Sequence, residues 1–346
     1  MVDGTLLLPN YNNAGVLPEA FAAIRRNLDC SRLHLVAVDD GSEDGGAEIL
    51  KVEACRSGFA SVEILERRHE GIVHALNAGL AAVRTPFVYR IDGDALVQTP
   101  GWTDRFAAAL RLRGIGLIGG HTIFDSGLVH GFGRSVLTKE GLHDEGTKPL
   151  ERSGSRTFDC IVWRPWSRFP GGSMREVDTV LATCVGFRLE DALAVGGFDR
   201  RFNPVWIEDD DFGLSMRRMG LKVFVDPGVR ILHCTSRRGK RLPETGDHGA
   251  RAGIGERLRH LFKPTMPLFD EIKGVRFARV AGGRQVLLRA HYGQWREKWG
   301  FDPLNPDMDD LVRRWTGTEL AWRWEEDRAE EGRRLGRVLD GGGGRS

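Results

Sequence analysis

Short apolar runs that end in acidic or amide residues constrain the fold of this chain more than any other feature. Three of them lie in the first hundred residues, at 5–8, 33–38 and 86–91. Amphipathic stretches separate these runs, a pattern typical of strand–helix units and of a mostly parallel sheet that is buried on both faces. The sequence therefore predicts an α/β fold.

Polar residues follow the predicted strands at the points where the strands end. Asp40, Asp92, Asp94 and His233 each lie at or just after such a C-terminal end. Ligands of parallel α/β sheets bind beyond the carboxyl ends of the strands, so we expect these four side chains to meet on one edge. The usual dinucleotide site is excluded, because no G-x-G-x-x-G follows the first strand.

The triplet Asp92-Gly93-Asp94 suggests a metal site. Two carboxylates one residue apart offer oxygen ligands to Mg²⁺ or Mn²⁺ and leave coordination positions open, which substrate phosphates usually fill. A nucleoside diphosphate is the ligand that this chemistry favours. A plain surface turn is the alternative, since Asp-Gly is common in turns.

Composition and cysteine usage favour an intracellular enzyme. No apolar run approaches the length of a membrane span, and the first residues lack the basic and apolar regions of a signal peptide. The five cysteines have no paired C-x-x-C spacing, so we expect reduced thiols and no zinc site. We therefore expect a cytoplasmic protein, with peripheral contact at the inner face of the membrane left open.

Six motifs along the chain, followed by a histidine, occur in an order that carries a family resemblance. They lie at residues 5–12, 39–42, 71–79, 92–94, 196–199 and 206–212, and the histidine is His233. Their order and spacing resemble the inverting, GT-A-fold glycosyltransferases of family two over about residues 4–235. The resemblance implies a Rossmann-like, mostly parallel sheet flanked by helices. Gly93 departs from it, because many relatives have Ala or Asp at that position.

The resemblance also implies roles on the nucleotide side of the site. Pro9 and Tyr11 match the loop that frames the nucleobase, and Asp40 matches an acid that hydrogen-bonds the base. Asn77 and Asp92 are likewise expected to bind the nucleotide, and Asp92 either binds the ribose or shares the metal. A carboxylate can accept an imide N–H, as uracil presents. A capping turn before the next helix is the other interpretation of the acids at 39–40, and both can hold together.

Further roles concern the metal and the chemistry. Asp94 is the expected direct metal ligand, and His233 matches a histidine that some relatives use as a further ligand, although a lone histidine after a strand is often structural. The acidic run 208–211 matches the family's E-D-x-D motif, which makes Asp209 the catalytic base. Glu208 and Gly197 are expected near the donor or acceptor sugar. Crowded carboxylates raise the pKa of at least one of them, but acids also suit the N-terminus of a helix.

Together these features predict a metal-dependent inverting glycosyltransferase that uses Mn²⁺ or Mg²⁺ and a nucleotide sugar, with UDP favoured. Its acceptor would be a hydroxyl of a glycan, a lipid-linked saccharide or a small molecule. A sugar-1-phosphate nucleotidyltransferase is one alternative, but it should open with a Gly-rich basic loop. A non-catalytic carbohydrate-binding protein is the other.

The domain organisation divides near residue 235. We expect a catalytic domain at 1–235 with an irregular acceptor-side insertion at 125–176, a mainly helical extension at 236–340 and a flexible tail at 341–346.

The extension starts with a basic cluster that includes Arg237 and Arg238. This cluster is a candidate lid over the diphosphate, a membrane contact or a solvated loop. Nucleic-acid binding is rejected because no aromatic residues interleave with these charges. The tryptophans of the extension, such as Trp295 and Trp299, are expected to pack it on the core.

Overall fold

The structure is a computed structural model that describes residues 2–124, 129–131, 133–135, 143–144, 174–234, 284–303, 310 and 325–341. Several sequence-based predictions fall outside these ranges. They are the basic cluster with Arg237 and Arg238, much of the helical extension, the tail after residue 341, and most of the 125–176 insertion.

The first hundred residues alternate strands and helices as predicted. The elements are β1 (Gly4–Asn10), α1 (Leu17–Asn27), β2 (Leu33–Asp39), α2 (Gly46–Arg56), β3 (Ser61–Glu66), α3 (Ile72–Ala82) and β4 (Phe87–Ile91). Strand β1 lies between β2 and β4 and is parallel to both, and β2 is parallel to β3. Their carboxyl ends therefore share one edge of the sheet.

Within the described residues, the second part of the fold adds eight strands and five α-helices. The elements are β5 (Ala95–Val97), α4 (Trp102–Leu110), β6 (Ile115–Phe124), β7 (Val129–Gly131), β8 (Arg134–Ser135), β9 (His143–Asp144), β10 (Arg175–Val177), β11 (Cys184–Arg188), α5 (Leu189–Ala194), α6 (Glu208–Arg218), β12 (Lys222–His233), α7 (Arg284–Trp299) and α8 (Glu325–Gly341). The strand predicted at 229–232 is the last third of the longer β12.

The main sheet has the order β10-β12-β6-β11-β4-β1-β2-β3, with β5 on β12 and β7 on β6. Strand β11 runs antiparallel to both β4 and β6, and β12 runs parallel to β6. Strands β1, β2, β3, β4, β6 and β12 therefore all point the same way. The predicted α/β class is confirmed, with β11 as an antiparallel strand in the middle of the sheet.

Both faces of the sheet are covered by apolar side chains. On one face, Leu6 and Leu8 of β1 pack into a core with Phe21 of α1 and Leu50 of α2. On the other face, Leu7 packs into a second core that includes residues of α3 and α6. Since side chains alternate along a strand, a continuous apolar run is what such double burial requires.

Helix α7 packs on the core through aromatic side chains. Trp295 and Trp299 are buried, and their ring centroids lie 5.9 Å apart. Trp295 also approaches Phe202, with 6.3 Å between centroids. The prediction that these two tryptophans pack the extension on the core is confirmed, while Trp315, Trp322 and Trp324 lie outside the described residues.

Helix α8 docks on β10 through buried ion pairs. Arg328 Nη2 lies 2.6 Å from Asp178 Oδ1, and Arg217 of α6 bonds both Asp178 and Glu176 at 3.3 Å. All four side chains are buried. At Gly332 the helix backbone comes so close to the Met174 carbonyl that no side chain would fit. Charge pairing and a close backbone approach thus hold α8 in place.

Two further expectations concern membranes and thiols. None of the helices in the described ranges combines the length and apolarity that crossing a bilayer demands. The described cysteines, Cys30, Cys55, Cys184 and Cys234, are free thiols, as predicted.

Candidate functional site

Three metal-ligating side chains meet at the carboxyl end of the sheet. Asp92 and Asp94 follow β4, and His233 is the last residue of β12. One ligand atom from each lies within 4.8 Å of the other two. His233 Nε2 is 3.3 Å from Asp94 Oδ1, and Asp94 is fully buried. The sheet therefore brings together residues that are far apart in sequence, as the strand-end rule predicts.

Backbone contacts fix the turn that carries the two aspartates. The Gly93 N–H donates to the Pro9 carbonyl at 3.1 Å, and the Cys234 N–H donates to the Asp94 carbonyl at 2.8 Å. A Cβ on residue 93 would lie 2.8 Å from Asn10 Oδ1. This close approach explains why the chain has glycine between the two acids. It also places Pro9 beneath the turn.

The donor set suits a divalent ion that accepts both oxygen and nitrogen. Carboxylates serve Mg²⁺ and Mn²⁺, and an imidazole nitrogen is bound better by Mn²⁺ because transition metals prefer nitrogen more than Mg²⁺ does. Burial, together with the neighbouring charges of Asp94 and Asp209, raises the pKa of Asp92 although Arg90 opposes the shift. Negative charge is thus concentrated here, as a cation site requires.

Asp209 lies in the first turn of α6 and is anchored on both oxygens. Its Oδ2 accepts the Ala182 N–H at 3.0 Å, and its Oδ1 accepts a bond from Arg90 at 2.9 Å. Just before the helix, Trp206 and Ile207 have φ values of 74° and 72°. A left-handed backbone is costly for such residues and marks a turn that the surrounding structure holds in place.

Arg90 is the main site residue that the sequence analysis missed. It bridges Asp92 and Asp209: its Nη2 lies 3.1 Å from Asp92 Oδ1, and its Nη1 lies 2.9 Å from Asp209 Oδ1. The side chain is buried within β4. The sequence did contain an indication of this role, because Arg90 is a charged residue within the apolar run 86–91, and a buried charge needs a partner. The sequence could not show which carboxylate supplies it.

Glu208 is a buried acid beside Asp209. Its Oε2 has no hydrogen-bond partner among the described residues. Burial and the adjacent Asp209 charge raise the pKa of Glu208 well above its usual value. The expectation that crowding raises at least one carboxyl pKa in this motif is therefore confirmed at Glu208. Its predicted contact with a sugar stays a prediction.

Asp40 is engaged by the protein itself. Its carboxylate accepts the Glu70 N–H at 3.0 Å, the Gly71 N–H at 2.9 Å and lies 2.8 Å from His69 Nδ1. Asp39 forms a turn, because it accepts the Ser42 N–H at 2.9 Å. This turn does not cap α2, whose N-cap residue is Gly45 and which has no side-chain cap, so the predicted capping role is wrong. Asp40 therefore holds the loop that leads into α3, and a role toward a nucleobase stays a prediction.

Asn77 clamps helix α3 to the loop before α6. Its Nδ2 donates to the Phe198 carbonyl at 2.7 Å, and its Oδ1 accepts the Phe198 N–H at 2.9 Å. A Cβ on Gly197, whose φ is +74°, would lie 2.5 Å from that same Oδ1. The structure thus shows Asn77 and Gly197 as partners in packing. Their expected contacts with nucleotide and sugar stay predictions.

Helix α7 reaches the acidic motif from the extension. Lys298 Nζ lies 2.8 Å from Asp211 Oδ2 and 2.9 Å from Asp199 Oδ2, while Trp299 Nε1 donates to Asp211 Oδ1 at 2.9 Å. Asp199 is structural, as expected, and Asp211 orients α6 by binding the extension. No sequence pattern links positions so distant along the chain.

Comparison with known proteins identifies the first part of the chain. Residues 5–150 match the family described as glycosyl transferase family 2. Residues 5–150 are therefore similar to the domain that family 2 glycosyltransferases share. Asp209 and His233 lie beyond the matched residues, so the case for their roles rests on the geometry given above.

Curated relatives match over short segments. An undecaprenyl-phosphate 4-deoxy-4-formamido-L-arabinose transferase of Pseudomonas paraeruginosa is 35% identical over 100 residues, which are 28% of this chain and 28% of that protein. The O-antigen biosynthesis protein RfbC of Myxococcus xanthus is 29% identical over 158 residues, 44% of this chain and 11% of that protein. This chain thus aligns with less than a third of either relative's length.

A solved structure has a fold similar to that of this chain. The crystal structure of GalNAc-T7 with UDP, GalNAc and Mn²⁺ has a TM-score of 0.53 at 11% identity, covering 91% of this chain and 57% of that one. At this identity the likeness concerns fold alone. The predicted GT-A fold is confirmed.

Proposed function

We propose that this glycosyltransferase is a metal-dependent inverting enzyme that moves a sugar from a UDP-sugar to an acceptor hydroxyl. One observation carries the proposal. A carboxylate suited to take up a proton, Asp209, is linked through Arg90 to Asp92 of the candidate metal site. A proton acceptor beside a divalent-cation site at a sheet edge is the arrangement that this reaction needs.

The donor side would depend on Asp92, Asp94 and His233. These residues offer the two carboxylates and one imidazole that would hold Mn²⁺ or Mg²⁺. A bound divalent ion would neutralise the charge that develops on the departing nucleoside diphosphate. Pro9, Tyr11 and the loop held by Asp40 supply the adjacent surface for the nucleoside.

The acceptor side would depend on Asp209. A carboxylate has about four lone-pair positions, so two hydrogen bonds leave room for the proton of an acceptor hydroxyl. The deprotonated oxygen would form a bond to the anomeric carbon while the bond to the diphosphate oxygen breaks on the opposite face. The nucleoside diphosphate leaves with the electron pair, and one displacement inverts the configuration. No enzyme nucleophile is needed.

A second acceptor class follows from the relatives' names. The Pseudomonas relative is named as an undecaprenyl-phosphate transferase. A phosphate monoester is already anionic at neutral pH, so it can attack without a base. A lipid-linked acceptor would bring the protein to a membrane surface, where the basic cluster with Arg237 and Arg238 could contact anionic lipid or close over the diphosphate.

Release of UDP tests the proposal directly. Purified full-length protein would be incubated with a panel of UDP-, GDP- and dTDP-sugars, with Mn²⁺, Mg²⁺ or EDTA. We expect release of UDP that needs metal and rises when an acceptor is added. Pyrophosphate formation from UTP and a sugar-1-phosphate would instead indicate a nucleotidyltransferase. Sugar binding without nucleotide release would indicate a carbohydrate-binding protein.

A further inference from the structure

The guanidinium of Arg90 joins the two halves of the candidate site. It lies in β4 on the face that carries Val88, between β1 and β11, and is almost fully buried. Its Cζ lies 5.5 Å above the centre of the Phe198 ring. A charge in such surroundings is tolerated only where partners compensate it.

Its hydrogen-bond partners are two carboxylates with different proposed roles, Asp92 at the candidate cation site and Asp209 as the base. Nε and Nη2 both donate to Asp92 Oδ1, at 3.2 and 3.1 Å, and Nη1 donates to Asp209 Oδ1 at 2.9 Å. Both bonds to Asp92 use one oxygen. The other oxygen of Asp92 makes no bond to Arg90.

A planar, rigid group that binds two carboxylates at once fixes the distance and angle between them. Lysine could not do the same, because an ammonium is a point charge on a flexible chain. Catalytic geometry is sensitive at this scale, since a displacement of about 1 Å can cost about 100-fold in rate. The side chain is buried behind both acids, so it acts through them.

We propose that Arg90 is a positioning residue that sets the place of the base Asp209 relative to the cation-site residue Asp92. This inference rests on the proposed function. It adds Arg90, which lies in strand β4 and outside the acidic motif 208–211, to the residues on which the reaction rate would depend. The competing explanation is that Arg90 only neutralises buried charge.

A double-variant kinetic cycle separates these explanations. We would measure kcat and donor KM for Arg90→Lys, Asp209→Asn and the double variant, on chains whose thermal unfolding shows them to be folded. We expect Arg90→Lys to lower kcat about 100-fold with donor KM changed less than about threefold. In the Asp209→Asn background the same change should lower kcat less than about threefold.

Arg217→Lys is the matched control. Arg217 is also buried between two carboxylates, Glu176 and Asp178, and neither of these acids belongs to the candidate site. We expect it to lower the unfolding temperature and leave kcat per folded molecule unchanged. Equal kcat losses in Arg90→Lys and Arg217→Lys would overturn the proposal, as would wild-type kcat in Arg90→Lys or fully multiplicative losses in the double variant.

If Arg90→Lys does not fold, Asp209→Glu tests whether the position of the Asp209 carboxylate controls the rate. This variant retains the charge at a partly exposed position and displaces the carboxylate by one methylene. We expect about a 100-fold loss in kcat with donor binding preserved, and an unchanged kcat would refute positional control. If the wild-type protein releases UDP from no donor, the proposed function itself fails, which is a different result from an active enzyme that is indifferent to Arg90.

Discussion

The ring of His69 lies parallel to the ring of Tyr11, with centroids 4.0 Å apart and planes 7° from parallel. His69 Nδ1 also lies 2.8 Å from Asp40 Oδ2. An aromatic face against Tyr11 and a ring nitrogen beside Asp40 are the two contacts that the sequence analysis expects of a nucleobase. The protein's own imidazole thus occupies contacts that a base would take.

His69→Ala should therefore tighten UDP binding severalfold, because the base would no longer have to displace the imidazole. Calorimetry with UDP and Mn²⁺ measures this effect. His34→Ala is the control, since His34 is a surface residue whose ring contacts Ser61. Weaker binding of UDP to His69→Ala would mean that the imidazole is part of the base platform.

Removal of Asp94 tests the metal site. Asp94 is fully buried, which argues against the alternative of a plain surface turn. We expect Mn²⁺ at 100 times its Kd to stabilise the wild-type protein by about 2.7 kcal/mol, and Asp94→Asn to lose most of that gain. Thermal unfolding with and without Mn²⁺ measures it. Asp191→Asn, at a distant carboxylate, should respond to Mn²⁺ like the wild type.

Asp209→Asn distinguishes the two acceptor classes. The substitution is nearly isosteric and keeps one oxygen, which can accept from either Ala182 or Arg90 but not from both, and the donor-binding residues are unchanged, so donor affinity should survive. With a hydroxyl acceptor we expect kcat to fall by roughly 10²–10⁴-fold, the usual contribution of a positioned base. With a polyprenyl phosphate acceptor the loss should be below about tenfold. Loss of donor affinity in parallel with kcat would argue against Asp209 as the base.

Lys298→Met should destabilise the protein strongly. Its ammonium pairs with Asp199 and with the buried Asp211, and loss of one partner from a buried pair costs about 3 kcal/mol. Lys51→Met is the matched control, because Lys51 also pairs with two carboxylates, Glu48 and Glu66, but at the surface. There we expect little or no change in urea unfolding, because surface ion pairs contribute little to stability. Equal losses in the two variants would contradict the predicted role of α7.

Glu331 should make stability depend on pH. The hydrogen bond from Arg334, opposed by burial and reinforced by Lys222, lowers the pKa of Glu331 from 4.5 to about 2. A depressed carboxyl pKa stabilises the fold above the unfolded value of 4.5, and this stability is lost as pH falls toward 2. Because Arg334 is largely exposed, we expect only about 1–2 kcal/mol at pH 7.

The measurement is urea unfolding of wild type and Glu331→Gln at pH 7, 5, 4 and 3. The difference in unfolding free energy should be largest at pH 7 and should shrink below about pH 4.5. A difference that stays constant over this range would show that Glu331 acts without its charge.

The fold and the outline of the site could be predicted because both follow from local patterns. Apolar runs predict the strands, and the strand-end rule brings Asp92, Asp94 and His233 together. The contacts of Arg90, Asn77 and Lys298 could not be predicted, because each joins segments whose approach depends on packing between sheet and helices. The sequence shows a charged residue in β4, but only the folded sheet shows which carboxylates it meets.

The buried pairing of Arg328 with Asp178 has a practical consequence for anyone who would shorten this chain. A truncation before residue 325 would leave Asp178 in an apolar setting with less cationic compensation, and would uncover the β10 backbone at Met174 against which Gly332 lies. Such a fragment would expose a sheet margin prone to self-association. We therefore expect a fragment that lacks α8 to be less stable and more prone to aggregation than a chain that retains it.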